Sequence, residues 1–285
     1  MVTKYKINTF YNAESLFDYL FNSVPSLIIA DVRHRSSNIL ELINNIKNDP
    51  VFGQLPVLCI LSDDINNINW KHYAVDDYIR RSDIENDIRT RVKFGIERSN
   101  RVAEINPLTR LPGNISINRH IQSRLDSGAI FAIAYLDIDN FKPFNDKYGF
   151  SRGDEIIRAT GRLILNIVKN IHSINSFVGH IGGDDFVYIT DTEYIETVSR
   201  EIINSFDSII PTFYDAQDYA KGYIEAVDRQ NNKKIYNIMT ISIGITSNKN
   251  RKFLHYGEIT EVASKMKSFA KKFSGSCFKT NRRMA

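Results

Sequence analysis

The chain has 285 residues, 42% of them hydrophobic and 25% charged, with 37 Lys and Arg against 33 Asp and Glu for a net charge of +4. This is globular composition at two-domain length, which excludes a fibrous or wholly disordered chain. The mild positive excess suits anionic ligands such as nucleotides, but no dense basic stripe with interleaved aromatics is present, so no nucleic-acid partner is expected.

In chain order, Pro25–Val32 and Leu55–Ser62 are near-continuous apolar runs, expected as buried strands of a parallel sheet. Between them Ile39, Leu40, Leu42, Ile43 and Ile46 recur at helical spacing, and Asp76–Arg81 reads as a third short strand. Residues 1–84 therefore form a β-α-β-α domain with helices on both sheet faces. Ile84, Ile88, Val92, Ile96 and Val102 share one stripe of a densely charged helix, predicted as a linker over residues 85–104. It either packs on the first domain or lends its far half to a dimer coiled coil.

The second domain, residues 105–285, opens on the turn-rich "NPLTRLPGN", with Asn114 expected as the N-cap of a helix reaching about Leu125. A buried strand, "GAIFAIAYLDIDNF", ends in acids, and "GDEIIRATGRLILNIVKNI" reads as a long amphipathic helix. "SFVGHIGGDDFVYIT" is a hairpin whose Gly182 and Gly183 supply the positive φ that tight turns need. A helix around "TEYIETVSREIINSF", a strand near "YIEAVDR", one strand over "YNIMTISIGIT" and a final helix "EITEVASKMKSFAKKF" complete the chain. Helices alternating with a mixed sheet give an α/β or α+β class. Cys59 and Cys277 match no metal spacing and read as free thiols of a reducing compartment. No apolar run reaches the roughly 18 residues that span a bilayer, and the start carries no signal-peptide core. A cytoplasmic protein without membrane insertion is expected.

The chemistry concentrates in two acidic clusters. Residues two apart in a strand share a face, so Asp137 and Asp139 point together and Ile138 points away. Asp184 and Asp185 sit at the hairpin tip, where neighbouring carboxylates repel unless water or a cation separates them. If the two strands are neighbours, Asp137, Asp184 and the Ile138 carbonyl converge into a set of hard oxygens suited to Mg²⁺.

"LTRLP", "DIDNFKPFNDKYGFSRGDEII", "GGDDF" and "ISIG" stand in the order and approximate spacing of the GGDEF domain, the diguanylate cyclase family, which the chain resembles over about residues 105–280. The resemblance implies a palm-type α+β domain with a central mixed sheet. It implies condensation of two GTP into cyclic di-GMP with release of pyrophosphate, in a homodimer and with Mg²⁺ or Mn²⁺. By position Asp137, the Ile138 carbonyl and Asp184 resemble the metal ligands, with Asp184 also the base for the 3′-hydroxyl. Asp185 completes the catalytic signature beside Gly182 and Gly183. Lys142 resembles the cation that stabilises charge on the phosphates, Asn145 and Asp154 the guanine readers, and Lys271 a second phosphate contact. Asp139 reads as a supporting or capping acid. A carboxylate at 154 accepts from the guanine N1–H and amine together, which favours GTP over ATP.

The chain departs from that pattern at Asp185, where the family usually has Glu. It departs also at His180 (Arg), Phe150 (His) and the "SGS" after Lys271, where the family has an Arg that Arg282 or Arg283 would replace. The family's Arg-x-x-Asp product clamp corresponds to Ser173 and Ser176, from which no such clamp can form. These departures carry the alternative, a catalytically inactive GGDEF domain that binds GTP or a protein partner.

Residues 1–84 resemble a truncated, flavodoxin-like response-regulator receiver. Asp31 stands at the phosphoacceptor position, Ser62 at the hydroxyl position and Arg81 at the usual lysine position of "VDDYIRR". The first receiver strand and its acidic pair are expected to be missing, so Asp31 is not expected to take phosphate. The domain would then serve dimerisation or docking of a signalling partner.

Overall fold

The computed structural model describes residues 5–32, 37–49, 52–64, 74–227 and 233–281. The chain divides into two compact units, Met1–Ala103 and Glu104–Ala285. In the first, α1 (Ala13–Asn22) is capped by Asn12, whose side chain accepts from the Ser15 amide. This helix was not singled out in the sequence. Strands β1 (Ile28–Asp31), β2 (Val57–Leu61) and β3 (Asp77–Arg80) form a parallel sheet in the order β1-β2-β3. The amphipathic α2 (Ser37–Asn48) lies between β1 and β2 in sequence and buries Ile43 and Ile46. Lys47 ties Asp76 at 3.0 Å, and Asp76 accepts from the Val57 amide at 2.8 Å, so one carboxylate fastens the approach to β3 onto β2. The charged helix α3 (Ile84–Ala103) ends this unit.

The second unit is built on a five-stranded mixed sheet in the order β10-β9-β4-β6-β5. Its strands are β4 (Ala132–Asp139), β5 (Phe177–Gly182), β6 (Asp185–Thr190), β9 (Thr240–Ser247) and β10 (Cys277–Thr280). Central β4 pairs antiparallel with both β6 and β9, while edge strand β10 runs parallel to β9. Strand alternation divides the core. Ala132, Ala134, Leu136 and Ile138 face one side with Phe186, Tyr188, Ile241, Ile243 and Ile245, against α6 (Phe150–Ile171) and α7 (Ile195–Ile209). Ile133, Val187 and Ile189 face the other, against α4 (Asn114–Asp126) and α9 (Tyr256–Ala270). Each fully buried Ile or Phe contributes about 1.5–3 kcal/mol, so this three-layer packing supplies most of the unit's stability.

A short α5 (Phe141–Tyr148) follows β4 directly, turned by Asn140 at φ +61°. Asn tolerates that left-handed conformation better than most residues. α8 (Ala216–Lys221) leads into a two-stranded ribbon of β7 (Tyr223–Val227) and β8 (Lys233–Asn237). The single strand expected over "YNIMTISIGIT" is thus two. β8 pairs with β7, then the Met239 amide donates to the Tyr214 hydroxyl at 3.0 Å, and β9 pairs with β4. Asn114 is not the N-cap of α4 either. Gly113 holds that place, and the Asn114 amide instead donates to the Ile181 carbonyl at 3.1 Å, fastening the helix to the hairpin.

Glu104, the first residue of this unit, is buried. Arg119 grips it with two nitrogens, at 3.0 and 2.6 Å, and Ser116 donates to it at 3.0 Å. Among the described residues no helix is long and apolar enough to cross a membrane. Cys59 and Cys277 are both free. Burial pushes the enclosed Cys59 thiol up to about 12.

Candidate active site

The two acidic clusters meet because β4 and β6 are neighbours. Asp137 on β4 stands opposite Asp185 on β6, and on that side the ladder ends there. The turn above it is Gly183-Asp184, flanked by the paired Gly182 and Asp185. Gly182 has φ +149° and Gly183 φ +58°, so both glycines take conformations that a side chain would oppose. Asp137, Asp184 and Asp185 each offer a carboxylate oxygen, and the three oxygens lie within 4.8 Å of one another. Three hard, anionic donors at that spacing fit a Mg²⁺ or Mn²⁺ ion. Asp139, also on the odd face of β4, turns instead to the hydroxyls of Thr240 and Ser242, at 3.0 and 2.8 Å. It is held by those hydroxyls at the strand end and is not one of the three clustered acids.

The electrostatics follow from this crowding. Burial raises the Asp184 carboxyl above its usual range, and the charges of Asp137 and Asp185 raise it further. Asp139 is raised for the same reasons, burial first, despite its two hydroxyl partners. Two cations answer the acids. Lys267 on α9 reaches Asp137 at 3.3 Å and also pairs with Asp185, and Lys271, just past the helix end, pairs with Asp137. Burial alone would lower the Lys267 ammonium, but its bonds to Asp185 and Asp137 outweigh that and raise it.

The helix approaches this closely because of Gly244. A β-carbon there would come within 2.5 Å of the Ala263 carbonyl oxygen and the Met266 carbonyl carbon, and closer still to the Lys267 nitrogen. Lys267 escaped the sequence reading, although a signal was present. Ile259, Ala263 and Ala270 form the buried stripe of α9, and Lys267 lies four residues after Ala263 on that stripe. A lysine in an apolar stripe needs an acid to meet.

Lys142 is exposed in the first turn of α5, immediately after the acidic end of β4. Asn145, on the same helix, packs over Gly153 of α6. A β-carbon at Gly153 would stand 2.9 Å from Asn145 Cγ, and closer to Oδ1. Asn145 Oδ1 is buried with no protein partner, and half-buried Asp154 follows Gly153 in the chain. The structure therefore places Asn145 beside the turn of helix that carries Asp154, while the three acids and two lysines gather at the sheet.

His180 is 2% exposed beneath the turn. Its Nε2 lies 3.0 Å from the Gly183 carbonyl and its Nδ1 3.0 Å from the Thr109 hydroxyl, and its ring stacks on Phe186. A neutral ring donating to Gly183 and accepting from Thr109 satisfies both contacts. "LTRLP" thus braces the hairpin: Thr109 holds His180, and the His180 amide donates to Pro112 at 2.8 Å. Phenylalanine at 180 would keep the stack but lose both hydrogen bonds, each worth about 0.5–1.5 kcal/mol, so His180→Phe is expected to cost about 1–3 kcal/mol in urea denaturation. Burial also lowers the folded-state pKa of His180 from 6.5. Its contribution is complete above the unfolded value and lost as pH falls through the folded one, so the parent chain should lose more stability than the variant between about pH 7.5 and 5. Equal slopes would contradict that account.

Ser173 and Ser176 do not stand as an ion-pair clamp; Lys169 donates to the Ser176 hydroxyl at 3.0 Å and carbonyl at 3.2 Å. In the first unit Asp31 ends β1, Ser62 follows β2 and Arg81 follows β3, so parallel topology brings all three to the carboxyl edge of one sheet. Arg282 and Arg283 lie outside the described residues.

Residues 103–208 match the protein family described as "Diguanylate cyclase, GGDEF domain". A diguanylate cyclase of Vibrio cholerae is 34% identical over 62 residues, 22% of this chain and 18% of that protein. The diguanylate cyclase DgcS of Shewanella oneidensis is 35% identical over 81 residues, 25% of this chain and 26% of that protein. The chain thus spans only about a fifth to a quarter of those relatives' own length. The solved coiled coil and GGDEF domain of DgcB from Caulobacter crescentus, in complex with c-di-GMP, superposes with a TM-score of 0.50 at 20% identity, covering 70% of this chain and 97% of that one. At that identity the likeness is one of fold.

Proposed function

We propose that this chain, with its GGDEF domain at residues 103–208, condenses two GTP into cyclic di-GMP and two pyrophosphates, each of two copies holding one nucleotide. The observation that carries the reading is the meeting of Asp137, Asp184 and Asp185 at the tip of the β5–β6 hairpin. Asp137, the Ile138 carbonyl and Asp184 would hold Mg²⁺ or Mn²⁺. Such an ion, when bound, neutralises phosphate charge and lowers the pKa of a nucleophilic hydroxyl.

The remaining work falls to the chain. Asp184, its carboxyl raised by burial and by its acidic neighbours, is suited to take the 3′-hydroxyl proton. Lys142, exposed in the first turn of α5, and Lys271, exposed beside Asp137, would bind the triphosphate and stabilise charge developing at the α-phosphate. Gly182 and Gly183 keep the turn free of side chains so that a nucleotide can lie against its backbone. Asn145, with its unpartnered oxygen, and Asp154 would read the guanine edge. The first unit, with Asp31, Ser62 and Arg81 at one sheet edge, serves as a receiver-like module for dimerisation or for a signalling partner.

Purified chain incubated with GTP and Mg²⁺ or Mn²⁺ is expected to yield cyclic di-GMP by mass spectrometry. Unconsumed GTP with no product would overturn the reading. One observation favours the alternative, a silent module that binds GTP without turnover: Lys267 already engages both Asp137 and Asp185. Retention of GTP without product would select it.

A further inference from the structure

Lys267 and Lys271 reach the same acids from different settings. Lys271 is 41% exposed at its side chain and can follow a ligand into solvent; Lys267 is 13% exposed. The missing β-carbon of Gly244 lets the α9 backbone rest on β9 at Lys267 itself, so the root of that side chain is held against the sheet. Its four-carbon stem leads to an ammonium between Asp137 on β4 and Asp185 on β6. Neither lysine pairs with Asp184. Bare, the three carboxylates carry three negative charges within 4.8 Å, and the two lysines offset two of them. A divalent ion entering beside an undisplaced Lys267 would meet a like charge and two acids already committed.

We propose that Lys267 is a resident, tethered cation of the acid cluster, which holds Asp137 and Asp185 until a divalent ion displaces it and which thereby sets that ion's affinity. The inference rests on the metal site of the proposed function. It makes Lys267 a positioning residue for the acids rather than a phosphate ligand, and divides the two lysines between cluster and rim.

The test is a Mn²⁺ titration of the whole nucleotide-free chain, read by the electron paramagnetic resonance of free Mn²⁺. Lys267→Met keeps the apolar stem and should bind Mn²⁺ about 10- to 100-fold more tightly than the parent, while Lys271→Met should change affinity less than about 3-fold. A second measurement needs no variant. Acetic anhydride labelling of the parent chain, followed by peptide mass spectrometry, should show Lys267 becoming more reactive at saturating Mn²⁺. Equal or weaker Mn²⁺ binding by Lys267→Met, or labelling unchanged by Mn²⁺, overturns the inference and leaves the proposed function standing. Absence of Mn²⁺ binding by the nucleotide-free parent and Lys267→Met alike also overturns the inference, while the proposed function still stands or falls on product formed from GTP.

Discussion

Asp184→Ala is expected to make at least about 100-fold less cyclic di-GMP from GTP than the parent chain, while melting at the same temperature or higher in chelator-treated buffer. The two halves of that result have one cause. Asp184 belongs to the acid cluster, where burial and two neighbouring carboxylates disfavour its charge. Lys267 and Lys271 pair with its neighbours, and the nearby charge of Lys271 offsets only part of the cost. Without metal the charged group works against the fold, and removing it should raise the midpoint by up to about 4 °C. In the proposed function the same carboxylate would serve as metal ligand and as acceptor of the 3′-hydroxyl proton, so its loss should abolish turnover. Asp184→Asn, which keeps the shape and loses the charge, should behave as the alanine variant does. Mass spectrometry of the product and circular dichroism melts of the same preparations decide the matter. Product within a few-fold of the parent's would detach the chemistry from this turn, and a midpoint several degrees lower would show Asp184 to be a structural anchor.

Gly244→Ala should cost about 2–4 kcal/mol, a large effect for the addition of one methyl group. The groups it would strike are backbone atoms of Ala263, Met266 and Lys267, which cannot swing aside as a flexible side chain does. Helix α9 would have to lift from β9, loosening Ile259 and Ala263 from their packing and drawing Lys267 away from the acids. Gly128→Ala is the control. Gly128 has φ +71° with nothing within 4 Å of the added carbon, so only the conformational penalty applies, about 1 kcal/mol. Urea denaturation of the two variants beside the parent separates these costs. A Gly244→Ala loss no greater than the control's would show that the helix yields easily.

Much of this architecture was legible in the residues. Runs such as "AIAYLDID" carry both their burial and their direction, apolar at one end and acidic at the other, and β4 occupies that run. The paired glycines marked the hairpin because few residues adopt positive φ there. What periodicity cannot register is a change of partner. Ile238 and Met239 continue the apolar pattern between β8 and β9, yet the Tyr214 hydroxyl takes up the Met239 amide and the chain passes from one sheet to another. Asn114 departs from its local pattern for a related reason: a side chain able to cap a helix donates instead to a hairpin carbonyl distant in sequence. Short elements such as α5, α8 and β10 are held by tertiary contacts more than by their own pattern. At the site, Asp137 and Asp184 could be paired on paper because both close a buried strand. Lys267 could not, because its significance depends on how nearly α9 approaches the sheet, and that distance is set by a glycine on another strand.

Glu104 gives the second unit its own mooring. The carboxylate is gripped by Arg119 and Ser116, both on α4, and its carbonyl accepts from the Gly113 amide at 2.6 Å. The chain is therefore clamped at the first residue it contributes to this unit, before the "LTRLP" brace begins. A boundary drawn one residue downstream would discard the anchor and leave the Arg119 guanidinium without that carboxylate. Dissection of the molecule into its halves belongs on the N-terminal side of that carboxylate.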